Sequence, residues 1–180
     1  MKVSIDKTWT ALDFATLFEA IDRFYLFFAL VRVADRILIS ESAGDTELVA
    51  WKDDVFRSFT SLQDFHSSIP REDDLFVKKL TFASPGGIDF LGVAALVGHL
   101  KEVLLRLLEL NATRRERQAK AALIEIEVEM ARLKAVKEHL TILKELGFTN
   151  AERQKLLLEL SPCAQSLLVL MRREMITKVE

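Results

Sequence analysis

The stretch LFVKKLTFASPGGIDFLG, residues 75–92, decides the fold, because hydrophobic residues every second position give way within it to turn residues. Over Leu75–Ala83, Phe76, Leu80 and Phe82 fall on one face and Val77, Lys79 and Thr81 on the other, with Lys78 the one polar residue on the apolar side. That alternation predicts a β-strand. Ser84-Pro85-Gly86-Gly87 then fits a type II turn, with Pro85 fixing φ at its second position and Gly86 supplying a positive φ at its third. The spacing beyond it predicts a helix that begins at Ile88.

Composition changes at the same point. Ten of the eleven aspartates, ten of the twelve phenylalanines, both tryptophans and the single tyrosine precede Ile88, whereas every acidic residue after Asp89 is a glutamate. Aspartate competes with the helical backbone for hydrogen bonds and glutamate does not, so the second half is composed for helix. The expected organisation is an aromatic-rich head over residues 1–87 and a helical tail over 88–180 that shares the head's core at 88–110. The fold class is α+β, predominantly helical. A small sheet of two strands, or slightly more, packs on long apolar helices, and an antiparallel helical hairpin closes the C-terminal part.

Working toward the N-terminus, Lys2–Lys7 alternates Val3 and Ile5 with Ser4 and Asp6 and reads as a short strand that can join the 75–83 strand in one sheet. Thr10 and Asp13 form a capping-box pattern that opens a helix to about Ile37–Ser40. Leu17, Ile21, Phe24, Phe28 and Val31 recur at helical spacing, and Phe14, Phe18, Tyr25 and Phe27 widen the apolar face beyond one stripe. Such a helix must be surrounded by protein. Trp51–Ser67 reads as a second, shorter helix that Pro70 follows.

Working toward the C-terminus, Ile88–Leu146 contains no proline and, if helical throughout, would extend about 88 Å at 1.5 Å per residue. Glu102 precedes Arg106 by the four residues that suit an ion pair. Ala119, Leu123, Ile126, Met130 and Leu133 follow the four–three spacing of a coiled-coil seam, and Leu140 continues it in a shifted phase. Gly147 supplies a left-handed helix end, and Thr149 with Glu152 forms a capping box two residues later, so a tight helix reversal is expected there. Ser161-Pro162 should interrupt the returning arm, with Pro162 in the first turn of a final helix that ends near Ile176.

The 180-residue chain is half hydrophobic and 29% charged, ordinary values for a folded protein. Its net charge of −2 gives no general attraction to nucleic acid or to anionic lipid, although residues 1–90 carry 10 basic and 15 acidic groups and the remainder is mildly basic. One cysteine, Cys163, excludes an internal disulfide and suits a reducing, cytoplasmic location. Asp6 and Lys7 interrupt any secretory signal, and charged residues close the apolar runs Phe24–Val31 and Val93–Val97 well short of the ~20 residues that a spanning helix needs.

Motifs for chemistry are sparse. His66, His99 and His139 are far apart and none has a second ligand at metal spacing. Cys163 at a helix start would have its pKa lowered by the helix dipole, but a lone thiol beside Pro162 and Ala164 reads as packing. The clusters Asp53-Asp54 and Glu72-Asp73-Asp74 lack the spacing of a calcium loop. Arg114, Arg115, Arg117 and Lys120 are diluted by glutamates and carry no interleaved aromatics, so nucleic-acid binding is not indicated. Ser84, Gly86 and Gly87 form a candidate anion-binding turn if a helix follows directly, because exposed amides at a helix start attract anions; the lysine of a P-loop is missing.

The order of strand-led helix, acidic linker, strand, Ser84-Pro85-Gly86 turn, apolar helix and charged helical tail resembles a class of small uncharacterised bacterial α+β proteins. That resemblance implies an accessory role in a multi-component system and carries no catalytic residue. The expected function is a non-enzymatic, self-associating scaffold or accessory subunit without a cofactor. Leu123, Ile126, Met130, Leu133 and Leu140 would form its subunit interface. The alternatives are a nucleotide or anion sensor at the Ser84–Gly87 turn and a membrane-acting effector that exposes Phe24–Val31 and Leu91–Val97.

Overall fold

The computed structural model describes residues 1–43, 61, 62, 65, 69, 73–81, 85–114 and 134–180. Strand β1 is Lys2–Ile5 and helix α1 is Ala11–Ala43. Strands β2 (Phe76–Thr81) and β3 (Gly86–Leu91) are followed by helix α2, Ala94–Arg114. Helices α3 (Lys134–Glu145) and α4 (Asn150–Arg172) lead into strand β4, Ile176–Val179.

The chain is α+β, but its sheet is larger than two strands. Among the described residues the four strands form one antiparallel sheet in the order β2-β3-β1-β4. The expected strands at 2–7 and 75–83 are therefore not neighbours, because β3 lies between them. Two corrections follow at the Ser84–Gly87 turn. The helix expected from Ile88 starts only at Ala94, because Ile88 and Phe90 alternate with Asp89 and Leu91 as buried and outward residues of β3. Gly86 has no positive φ, since among the described glycines only Gly147 does; Gly86 instead pairs with Ile5 in the sheet.

Both outer strands depart from simple alternation. In β2 the register steps from Val77↔Phe90 to Lys79↔Asp89, leaving Lys78 as an extra residue. This bulge turns Val77 and Leu80, three apart, toward the side of buried Phe90 and Ile88, and it places Phe76 beside outward Leu91. The face assignment expected from strict alternation therefore fails beyond Val77. In β4 a similar irregularity lets Ile176 and Val179, also three apart, both reach the buried side opposite Ile5 and Val3.

One face of the sheet receives the helices. Phe24–Val31 of α1 are buried around the whole circumference of the helix, and α1 packs against α2, α3 and α4 and, through Phe18 and Phe90 with ring centroids 6.2 Å apart, against β3. The core is one cluster to which β1, β3, β4 and helices α1 to α4 contribute, together with Leu62 and Phe65. No helix among the described residues is long and apolar enough to cross a membrane.

The local signals for helix ends hold at two places. The Thr10 hydroxyl accepts from Asp13 N at 3.2 Å while the Asp13 carboxylate accepts from Thr10 N at 2.9 Å. Gly147 has φ +90, and Thr149 and Glu152 form the same reciprocal cap at 3.2 and 2.7 Å. Pro162 does not interrupt α4, which runs continuously from Asn150 to Arg172. The missing amide costs a backbone hydrogen bond, offset by burial of Leu160, Ala164 and Leu167 around it. The final helix also stops short of Ile176, because Glu174 takes a positive φ of 59 and the chain turns into β4. Arg106 binds Glu109 at 2.9 Å, three residues on, rather than resting on the four-residue spacing alone.

Thr149→Ala should lower the unfolding free energy by about 1 kcal/mol in a denaturant titration. Hydrogen bonds from Thr149, side chain first and then backbone, hold the Glu152 carboxyl below the usual glutamate range. A lowered folded pKa stabilises above the unfolded value of about 4.3 and loses that contribution as pH falls through the folded value. Between about pH 5 and pH 3 the wild type should accordingly lose more stability than Glu152→Gln, and equal slopes would contradict the cap's ionic character.

Candidate functional site

Of the side chains expected at a subunit interface, Leu123, Ile126, Met130 and Leu133 lie outside the described residues, and Leu140 on α3 is half-buried against the core. Ser84 also lies outside them. Gly86 and Gly87 are committed to the sheet, paired with Ile5 and Ser4 of β1, and the helix that would have polarised an anion begins at Ala94. The anion-binding reading thereby loses the strand-to-helix geometry on which it rested.

The fold brings together two histidines that are distant in sequence. His99 on α2 and His139 on α3 meet edge to face with ring centroids 4.6 Å apart, and both pack on Phe28. His139 is only 8% exposed. The pair packs between the two helices and α1. Cys163 lies in the middle of α4, away from a helix start, and burial pushes its thiol up to about 11. Its Sγ donates to the Glu159 carbonyl at 3.6 Å. A protonated, half-buried thiol is a poor nucleophile.

Strand β2 is open to solvent. Among the described residues it pairs on one side only, with β3, and stands at the end of the sheet. Its residues are exposed apart from Leu80, which is half-buried. Phe76 and Val77 are 42% and 47% exposed, and Leu91, opposite Phe76 on β3, is 55% exposed. Hydrophobic side chains thus wrap around the start of the strand, on the outer face through Phe76 and Leu91 and on the inner face through Val77. Beneath Val77 lies a groove of about 320 Å³ between α1 and the sheet, lined by Phe18, Ile21, Leu75, Val77 and Phe90 with Glu19 and Asp22 at its α1 side. Lys78 and Lys79 are exposed farther along the strand.

A hydrogen-bonded clamp fixes this edge to α1. The buried Tyr25 hydroxyl donates to the Asp73 carbonyl at 2.7 Å and accepts from Val93 N at 3.1 Å, so one side chain ties the residues before β2 to those after β3. Burial, first, and the nearby Asp73 and Asp74 charges raise the Tyr25 pKa above the ordinary tyrosine value, which keeps the donor proton in place. The Asp73 carboxylate meanwhile faces Arg32 at 3.7 Å and Arg36 at 3.5 Å, two successive turns of α1. Gly92 makes room for the clamp: a Cβ there would stand 2.9 Å from the Tyr25 hydroxyl. The close neighbour is thus a side chain and not a second backbone. Sequence reasoning identified the strand and its apolar residues but not its position at the edge, which depends on β3.

Tyr25→Phe should cost about 1–3 kcal/mol, because it strands a half-buried amide and a carbonyl. A denaturant titration that shows less than about 0.5 kcal/mol would mean that the clamp does not hold the edge. Comparison with protein-family models, with curated proteins and with solved structures found no match.

Proposed function

We propose that this protein is a non-enzymatic interaction subunit that accepts an extended segment of another polypeptide along β2. The observation that carries the reading is an exposed edge strand with an apolar groove directly beneath it. Strand addition uses those two elements together: unpaired main-chain groups supply affinity, and a pocket below the edge takes alternate side chains. The clamp through Tyr25 supports it further, because a preformed edge loses less conformational entropy on binding than a loose one. An accessory role in a bacterial multi-component system fits such a module.

Self-association through Leu123, Ile126, Met130 and Leu133, with Leu140 at its end, is a second and compatible reading, favoured by their four–three spacing. The burial of Phe24–Val31 within the chain removes one source of excess apolar surface, so the seam alone carries this reading. A membrane-acting role would need that same segment to leave the core and is not favoured.

Selection from a displayed random-peptide library on the immobilised protein tests the first reading. Enriched peptides should lose at least tenfold in affinity for Val77→Asp, which puts a charge over the groove; peptides that bind wild type and variant equally would overturn it. Light scattering tests the second. A mass that is a multiple of 20.5 kDa should fall to the monomer in the double variant Ile126→Glu, Leu133→Glu, and a soluble assembly unchanged by it would count against the seam.

A further inference from the structure

We infer that the β2 edge is specific for an extended segment in which apolar and acidic side chains alternate, the apolar ones turned toward α1 and the acidic ones toward Lys78 and Lys79. The inference rests on the reading of β2 as a strand-addition site and names the chemistry of its partner.

The two sides of the edge differ. On the inner side, Val77 and the groove below it present hydrocarbon, and the polar groups lining that groove are carboxylates, Glu19 and Asp22. An incoming acidic side chain on that side would meet like charge, whereas a leucine- or valine-sized side chain gains burial. On the outer side, Lys79 stands opposite Asp89 in the register and the bulge adds Lys78 beside it, so two exposed lysines are set against one cross-strand aspartate. That leaves an excess of positive charge at the place where a further strand would set its outward side chain. Because side chains of a strand alternate with period two, the two requirements together select the alternation and fix its phase.

The same charges argue against a second copy of this chain as the occupant. An antiparallel two-fold pairing centred on Phe76–Thr81 sets Lys78 and Lys79 against Lys79 and Lys78 of the other copy, and like charges directly opposite are destabilising. Pairing of β2 with the opposite edge of another copy fares no better, since exposed Lys178 lies in β4. Lysine and a bulge are the devices by which edges resist aggregation. Here they resist self-pairing and at the same time favour a partner of opposite charge.

Fluorescence anisotropy with three labelled peptides tests the inference on the full chain: alternating valine and glutamate, valine and serine, and valine and lysine. The glutamate peptide should bind wild type at least tenfold more tightly than the lysine peptide, with the preference weakening as salt rises. Lys78→Glu with Lys79→Glu should reverse the order, and Lys79→Gln alone should narrow it; both positions are exposed, and circular dichroism verifies the fold. Equal binding of the three peptides would overturn the charge selection while leaving strand addition at β2 intact. Binding of none would overturn both, and a wild-type dimer in solution that is lost in Val77→Asp would assign the edge to a second copy instead.

Discussion

The whole architecture answers one demand, that Phe24–Val31 of α1 be covered on every side. Eight consecutive apolar or aromatic residues leave a helix no face for water. Among the described residues, helices α2, α3 and α4 and one face of the sheet supply cover, and each helix contributes a stripe of its own: Leu96, Leu100, Val103 and Leu107 on α2, Val136 and Leu143 on α3, Leu156, Leu160 and Leu167 on α4. Burial of each such side chain is worth about 1.5–3 kcal/mol, so the central helix is where stability concentrates. Among the described residues the helices cover one face of the sheet, and its two outer strands have no further strand beside them.

That arrangement gives β2 and β4 different roles. β4 is held from both directions: its ladder with β1 is extended by Lys2 N to Glu180 O and Glu180 N to Lys2 O at 2.9 and 2.8 Å, and α2 and α4 pack against it. Only Ile176 and Val179 turn inward, and Lys178 pairs with Glu180 at the surface. β2 rests on β3 and on the Tyr25 clamp, and its inner side overhangs the groove instead of closing it. An edge held in place by its neighbours yet not covered by them is suited to receive a strand.

The sequence displayed the elements more clearly than their connections. The capping boxes at Thr10 and Thr149, the helix end at Gly147 and the enclosure of α1 could be read locally, because each depends on residues within one or two turns. Ile88-Asp89-Phe90-Leu91 was misread as helix because two glycines and an apolar run follow a proline turn in either case; only the pairing of Gly86–Asp89 with β1 distinguishes them. Ile176-Thr177-Lys178-Val179 escaped notice for a related reason: its inward residues are three apart, a spacing that suggests helix until a bulge is allowed. Pro162 misled in the opposite sense, since tertiary burial outweighed a local helix breaker. The candidate site depends on such long-range features. Phe76, Val77 and Lys79 were visible as strand residues, but their exposure follows from β3 lying on one side only, and the histidine pair arises from the meeting of α2 and α3.

Amide hydrogen exchange, read residue by residue at neutral pH, tests the account most directly. Amides of Phe24–Val31 and of β3 should exchange only by global unfolding, while about half of the β2 amides, those directed away from β3, exchange orders of magnitude faster. Uniform slow exchange along Phe76–Thr81, equal to that of β3, would mean that the edge is covered in solution and would contradict the reading of β2 as an open docking strand.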